Sequence, residues 1–151
     1  MQRYLPWIPP IFVTFVFVQS LFFKFSGSEE TVIIFNTIAD WMAGLPLLAA
    51  IAKPFGTYGG NVVGFTELVA AVLILVPRTR FYGALLGFGV ISGAIFFHLF
   101  SPLGVVRVVD AAGNTDGGAL FAMACGVWIS CVITLVLESR GRSAEPVPLT
   151  A

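Results

Sequence analysis

The dominant feature of the chain is a series of four long apolar runs separated by polar stretches. A membrane core about 30 Å thick needs roughly 20 apolar residues for each helix, so the runs are long enough for four crossings. The sequence predicts spans at about residues 7–25, 60–76, 81–100 and 117–137. The expected fold class is an all-α, four-helix transmembrane bundle. It forms a single domain over residues 1–142, followed by a flexible C-terminal tail at residues 143–151.

The connection between the first two spans is long enough to have structure of its own. Four of its apolar residues recur at helical spacing: Val32, Phe35, Ala39 and Met42. This spacing predicts a short amphipathic helix over about residues 29–42 that lies at the membrane interface, with Trp41 at headgroup level. A second apolar stretch, residues 45–52, is closed by Lys53-Pro54 and is too short to span. It predicts a short helix that packs over the outer mouth of the bundle or dips into it.

The amino-acid composition excludes several other classes of protein. Of the 151 residues, 58% are hydrophobic and only 11% are charged, against about 25% charged in a typical soluble domain. The formal net charge is zero. These values exclude a disordered chain and a nucleic-acid binder with a basic face. With two cysteines, a disulfide-stapled secreted domain is excluded as well.

The few basic residues predict an orientation in the membrane. With four spans, both termini share a side with the loop between spans two and three, and that side carries Arg3, Arg78, Arg80, Arg140 and Arg142. The opposite side carries Lys24, Lys53 and Arg107. Because cytoplasmic loops carry the excess of Lys and Arg, we expect a multi-pass plasma (inner) membrane protein with both termini in the cytoplasm.

Small residues spaced by four give the predicted spans faces that allow close helix approach. They are Gly60 and Gly64, Gly83 and Gly87, Gly89 and Gly93, and Gly118, Ala122 and Gly126. Two interpretations stay open. The Gly-rich faces either pack the bundle itself, or they form a seam to a second copy or to a larger membrane-protein complex.

Three ionisable residues fall inside the predicted spans, where each costs at least about 2.5 to 3.5 kcal/mol and requires an explanation. Glu67 shares a face with small residues of span two, so its carboxyl group is expected to face the interior. It is either a buried structural carboxyl or a group that handles protons or contacts a ligand. Lys24, at the end of span one, either snorkels to the headgroups or turns inward.

His98, the single histidine, is expected to point inward near the outer end of span three. Its alternatives are a hydrogen bond to a backbone carbonyl, proton transfer or hydrogen bonding to a quinone, and ligation of a metal or haem. One histidine cannot supply two axial ligands, and no cluster of metal-ligating residues is present in the sequence, so no metal site is predicted. Lys24, Glu67 and His98 form the candidate polar pocket. Trp41 and Tyr58 join Glu67 and His98 as candidate contacts to a quinone or lipid.

Four segments, in this order and at this spacing, resemble the DoxX-like family of small four-helix membrane proteins over about residues 20–138. They are Lys24-Phe25, Gly64-Phe65-Thr66-Glu67-Leu68 followed by Leu73-Ile74-Leu75-Val76-Pro77, Gly93-Ala94-Ile95-Phe96-Phe97-His98-Leu99, and Asp116-Gly117-Gly118-Ala119-Leu120-Phe121. The resemblance implies an all-helical bundle linked to redox work at the membrane. Members resemble the small subunit of thiosulfate:quinone oxidoreductase or act with other oxidoreductases. No cysteine is placed near the candidate pocket for sulfur transfer.

These observations leave two functional hypotheses and one alternative. The chain is either a quinone-associated component or a non-catalytic accessory subunit of a membrane oxidoreductase or another larger membrane complex. It has no evident redox centre and is not expected to be catalytic alone, so no catalytic residue is assigned and quinone is the one candidate cofactor. The alternative is a stand-alone bundle that binds or transports a lipid or small molecule in the outer polar pocket. The expected surroundings are membrane lipids, with no nucleic acid.

Overall fold

The computed structural model describes residues 4–143, and helices make up most of that range. The elements are a 3-10 helix at Leu5–Trp7, α1 at Ile8–Phe25, α2 at Glu29–Ala43, α3 at Ala49–Leu75, α4 at Arg80–Phe100 and α5 at Ala119–Ser143. Within residues 4–143 the extended pairing consists of one isolated bridge between Val108 and Thr115. The expected all-α class is confirmed.

Four of the helices are long and apolar enough to cross a membrane, at Leu5–Phe25, Ala49–Leu75, Arg80–Phe100 and Ala119–Gly141. Helices α1 and α4 each pack against both α3 and α5, so the four form a ring in the order α1, α3, α4, α5. This is a four-helix bundle of a multi-pass membrane protein. The predicted limits of spans one and three agree with α1 and α4 to within one residue.

The second span differs from its prediction at its start. Helix α3 begins at Ala49 and continues through Pro54, so the separate short helix predicted at residues 45–52 and the start of span two at residue 60 are wrong. A proline inside a helix costs about 3 kcal/mol because it removes a hydrogen bond and crowds the preceding turn. Packing offsets this cost, since Ala52 is buried with Ile38 and Met42 of α2.

Helix α2 is the predicted amphipathic segment, and its apolar face packs on the beginning of α3. The Ser28 side chain accepts a hydrogen bond from the Thr31 amide at the helix start, as an N-cap does. Phe35 approaches α3 so closely that a Cβ at Gly59 would lie 2.7 Å from its ring. Val32 was predicted to lie on the apolar face of this helix, and that prediction is wrong, since Val32 is 48% exposed. The buried face begins at Thr31 instead.

The fourth span begins two residues later than predicted. Gly117 and Gly118 have φ angles of 60° and 85°, which are incompatible with a right-handed helix, so α5 starts at Ala119. The Asp116 carboxylate accepts hydrogen bonds from the amides of Gly118 and Leu120 and caps this start. At its other end α5 continues to Ser143, past the predicted limit of 137. Apart from Ser143, the predicted tail lies outside the described residues.

Glycines bring the spans together as the bundle-packing interpretation expects. A Cβ at Gly83 would lie 2.5 Å from the backbone nitrogen of Ile74, so α4 can approach α3 this closely only with glycine there. A Cβ at Gly87 would contact Phe17 and Cys131. Around these contacts lies the main apolar cluster, built from all four spans. Its fully buried members include Val13, Phe17, Ala70, Ala84, Val127 and Cys131.

One end of the bundle carries an additional layer. It consists of α2, the beginning of α3 and the loop at residues 101–118, which we call the hairpin loop because its two arms pair at Val108 and Thr115. A second apolar cluster lies there and comprises Ile38, Met42, Ala52 and Leu103. We call this the capped end. The opposite end carries the short loop between α3 and α4.

Candidate functional site

A cavity of about 440 Å³ lies between the two apolar clusters and touches residues of both. All five helices and the hairpin loop contribute to its wall. Most of that wall is apolar, with the larger side chains being Phe17, Phe23, Phe35, Phe55, Ile91 and Phe97. Its volume falls within the range of about 300–1,000 Å³ that is typical of small-molecule sites.

The first polar group of the cavity is an ion pair between two spans. Lys24 Nζ lies 2.6 Å from Glu67 Oε2, and their side chains are only 16% and 7% exposed. The Ser20 hydroxyl donates to the same carboxylate oxygen at 2.6 Å and lies 3.1 Å from Lys24 Nζ. Lys24 therefore turns inward rather than snorkelling, and Glu67 faces the interior as expected. Since both donors contact Oε2, Oε1 of Glu67 is not engaged by either.

Glu67 owes its depth to the length of α3. It lies about 27 Å along the helix from Ala49, at 1.5 Å per residue. Lys24 reaches it from the last turn of α1. The long stem of the lysine spans the gap between the helices, which gives the carboxylate its counter-charge inside the apolar bundle.

His98 lines the same cavity from α4 and is 4% exposed. Its Nδ1 lies 2.6 Å from the carbonyl oxygen of Gly104 in the hairpin loop. A carbonyl only accepts, so Nδ1 carries a proton and donates to it. Of the alternatives for His98, the hydrogen bond to a backbone carbonyl is therefore the one that its Nδ1 makes. The ring also packs edge-on against Phe121, at 5.5 Å between centroids.

A second ion-pair group lies in the cavity wall, and the sequence interpretation did not select it. Arg107 of the hairpin loop is 3% exposed, and its Nη2 donates to Glu30 Oε1 of α2. Its Nε lies 3.4 Å from Asp116 Oδ2, and its backbone amide donates to Asp116 Oδ1 at 3.1 Å. Arg107, Glu30 and Asp116 all line the cavity. The ion pair between Arg107 and Glu30 therefore connects the hairpin loop to α2 at the capped end.

The environment perturbs the pKa values of Arg107 and Asp116 in the hairpin loop. Burial lowers the pKa of Arg107 from its ordinary value, and the Asp116 charge opposes that shift. For Asp116, burial by itself raises the pKa, but hydrogen bonds from the amides of Gly118, Arg107 and Leu120, together with the Arg107 charge, outweigh it. The pKa of Asp116 is lowered as a result, which keeps the carboxylate ionised beside Arg107.

The two aromatic residues predicted to contact a ligand lie elsewhere. Trp41 packs against Phe96 and Phe97, with ring centroids 6.4 Å and 6.2 Å away, and Tyr58 is 62% exposed. Neither is among the residues that line the cavity. Phe97 does line it, so Trp41 supports the wall from behind.

The site as a whole combines apolar walls with hydrogen-bonding groups at two levels. One level holds the Lys24, Glu67 and Ser20 group, and the other holds Arg107 with its carboxylates. Carboxylate, ammonium and imidazole groups exchange protons and orient polar ligands but do not transfer electrons. Over residues 4–143, no three His, Cys, Asp or Glu side chains are grouped so that they could hold a metal ion.

Comparisons with protein-family models, curated proteins and solved structures gave no match to this chain. The chemistry of the cavity is therefore the basis for assigning a function.

Proposed function

We propose that this chain is a quinone-associated, non-catalytic subunit of a membrane oxidoreductase, and that its own contribution is to bind the quinone in the cavity at the capped end. The observation that carries the proposal is a largely apolar cavity of about 440 Å³ whose wall includes Lys24, Glu67 and His98. A quinone is an apolar ring with carbonyl oxygens that need hydrogen-bond partners. The proposal is in line with the resemblance to the DoxX-like family.

The polar groups suit such a molecule in two ways. Lys24 contacts Ser20 and Glu67 and has a third N–H group that can donate to a quinone carbonyl, while Oε1 of Glu67 can accept a hydrogen bond from a hydroxyl of the reduced quinol. A quinone supplies the electron-carrying chemistry when it is bound, while these residues orient it and exchange protons with it. The electrons themselves must then come from a partner protein, which is why we place the chain in a complex.

Binding is tested first on the purified chain. The chain is placed in nanodiscs, and saturable binding of a tritiated short-chain benzoquinone is measured with empty nanodiscs as background. Glu67→Gln keeps the size of the side chain but removes the charge that holds the Lys24 ammonium, a donor for a quinone carbonyl, in the cavity. We expect quinone affinity to fall about tenfold, the effect of a lost hydrogen bond to a charged group. Asp40→Asn makes the same change at an exposed carboxyl group of α2 away from the cavity, and it should leave the affinity unchanged.

Two results would contradict the binding proposal: no saturable quinone binding to the wild-type chain, or equal affinity in wild type and Glu67→Gln. Saturable binding of a phospholipid that excludes the quinone would instead support the alternative, a stand-alone bundle that binds or transports a lipid through the same cavity.

The subunit part of the proposal has a separate test. Purification from the native membrane in mild detergent should yield a stoichiometric complex with a protein that carries a redox centre. Most glycines of the Gly-rich faces pack within the chain, as Gly64, Gly83 and Gly87 do, whereas Gly89 is exposed with open space around it. We propose this face of α4 for contact with a larger complex or a second copy. A solitary, monomeric chain would contradict this.

The orientation is proposed from the basic residues: both termini in the cytoplasm and the capped end on the outer side of the inner membrane. A fluorescent protein fused after Ala151 should fluoresce, and alkaline phosphatase at the same position should be inactive. The reverse result would place the cavity on the cytoplasmic side.

A further inference from the structure

Arg107 has hydrogen-bonding capacity that the protein leaves unused. Its side chain is 2% exposed and lines the cavity, yet Nη1 is buried and donates to no acceptor within residues 4–143. A buried donor on a charged group is costly to leave unpaired, so an acceptor that enters the cavity gains more there than at a solvated arginine. This unused donor points to a ligand with an oxygen atom.

The guanidinium group is held in a fixed position. Glu30 engages Nη2 from α2, and Asp116 lies beside Nε from the hairpin loop. Asp116 is itself fixed by three backbone amides, those of Arg107, Gly118 and Leu120. The arginine therefore needs little further ordering to bind a ligand, which favours affinity.

The charges of the wall decide what kind of oxygen fits. Lysine and arginine contribute two positive groups to the wall, Lys24 and Arg107, against three carboxyl groups, Glu67, Glu30 and Asp116. Each positive group already has a carboxylate partner. An anionic ligand would enter a cavity of low polarity in which carboxyl groups outnumber the lysine and arginine side chains, which is unfavourable. A neutral carbonyl oxygen accepts the same hydrogen bond without that cost.

We propose that Arg107 is a ligand-binding residue whose Nη1 donates a hydrogen bond to a carbonyl oxygen of a neutral ligand. The inference rests on the proposed function, because it requires that the cavity bind a small molecule. It adds a residue that directly contacts the ligand, and it sets the ligand class as neutral carbonyl compounds rather than anionic headgroups.

The test compares a ligand that carries carbonyl groups with one of similar shape that lacks them. Binding of a short-chain benzoquinone and of the alkylbenzene of matching shape is measured in nanodiscs for wild type, Arg107→Lys and Arg78→Lys. We expect wild type to prefer the quinone by tenfold or more, and Arg107→Lys to reduce this preference by about tenfold. Arg78 is exposed in the loop between α3 and α4, so Arg78→Lys should keep the full preference. A ratio of two affinities is insensitive to a general loss of folded protein.

An unchanged quinone preference in Arg107→Lys, while Glu67→Gln still weakens quinone binding, would overturn this inference and leave the proposed function intact. Absence of saturable quinone binding to wild type would overturn both. Tighter binding of hexyl phosphate than of the quinone to wild type would refute the neutral class.

A second measurement needs no variant. Of the arginines whose side chains the structure describes, Arg107 is the one that lines the cavity. Solid-state NMR on wild type with ¹⁵N-labelled arginine and a quinone ¹³C-labelled at its carbonyls should show a through-space guanidinium-to-carbonyl contact. No such contact in quinone-saturated protein would overturn the proposal even if Arg107→Lys does not fold.

Discussion

Removing Lys24, Glu67 or both has three different expected effects on the stability of the bundle. Lys24→Met leaves the Glu67 carboxyl group, 7% exposed and deep in α3, without its counter-charge. Removing one partner of a buried ion pair costs about 3–5 kcal/mol. Glu67→Leu leaves Lys24, which is 16% exposed and lies in the last turn of α1, where its long stem can extend toward the headgroups. We expect the second loss to be clearly smaller than the first.

The double variant separates the ion pair from the packing of its side chains. Met and Leu together remove both charges and retain apolar volume, a change that is often neutral or stabilising for a buried pair. Lys24→Met/Glu67→Leu should therefore recover most of the stability lost in Lys24→Met. The interaction energy between the two positions should be about 3 kcal/mol, well outside the 0.3–0.5 kcal/mol within which independent sites are additive.

Reversible unfolding in mixed micelles, titrated with a denaturing detergent and followed by circular dichroism, gives the free energies. Lys53→Met is the matched control, because Lys53 is an exposed lysine of α3 with no ion pair among those of residues 4–143. It should change the free energy of unfolding by less than about 0.5 kcal/mol. If the two single losses simply add in the double variant, the Lys24–Glu67 pair contributes nothing, and the account of the cavity's first polar group is refuted.

Two further predictions concern helix contact and the hairpin loop. Gly83→Ala should destabilise the bundle by about 1–3 kcal/mol, because the new Cβ would lie 2.5 Å from the Ile74 nitrogen, while Gly89→Ala, with nothing within 4 Å, should be neutral or stabilising in thermal unfolding. Because the folded pKa of Asp116 is lowered from 3.8, its contribution to stability is present above that value and is lost as the pH falls through the folded pKa. Unfolding measured from about pH 6 to pH 3 should show this loss in wild type and a smaller one in Asp116→Asn, and equal pH dependence in both would contradict it.

The elements that depend on local sequence were the predictable ones. The limits of α1 and α4 follow from continuous apolar runs, and the inward direction of Glu67 follows from the small residues on its helix face. The start of α3 was not predictable, because the rule that proline ends a helix is local, whereas the packing of α2 on Ala52 that offsets it is tertiary. Where two such effects compete, one sequence does not show which is larger.

Part of the candidate site was likewise predictable from the sequence, and part was not. Lys24, Glu67 and His98 are conspicuous in sequence because charge and imidazole are rare in apolar spans, and all three line the cavity. Arg107 looks like an ordinary loop residue. Its burial depends on Glu30, 77 residues away, and on a hairpin register that no apolar pattern encodes. The turn-forming residues Asp110, Gly113 and Asn114 were the one available sign that this loop is structured.

The position of the cavity follows from a difference in helix length. At 1.5 Å per residue, the 18 residues of α1 extend about 27 Å and the 27 residues of α3 about 40 Å. Helix α3 therefore continues beyond the end of α1, and α2 and the hairpin loop occupy the space beside it. Arg107 lines the cavity from the hairpin loop at the capped end, while Glu67 and Lys24 line it from within the spans. The extra length of α3 thus brings two groups of ion pairs, one around Glu67 and one around Arg107, to the wall of one apolar cavity.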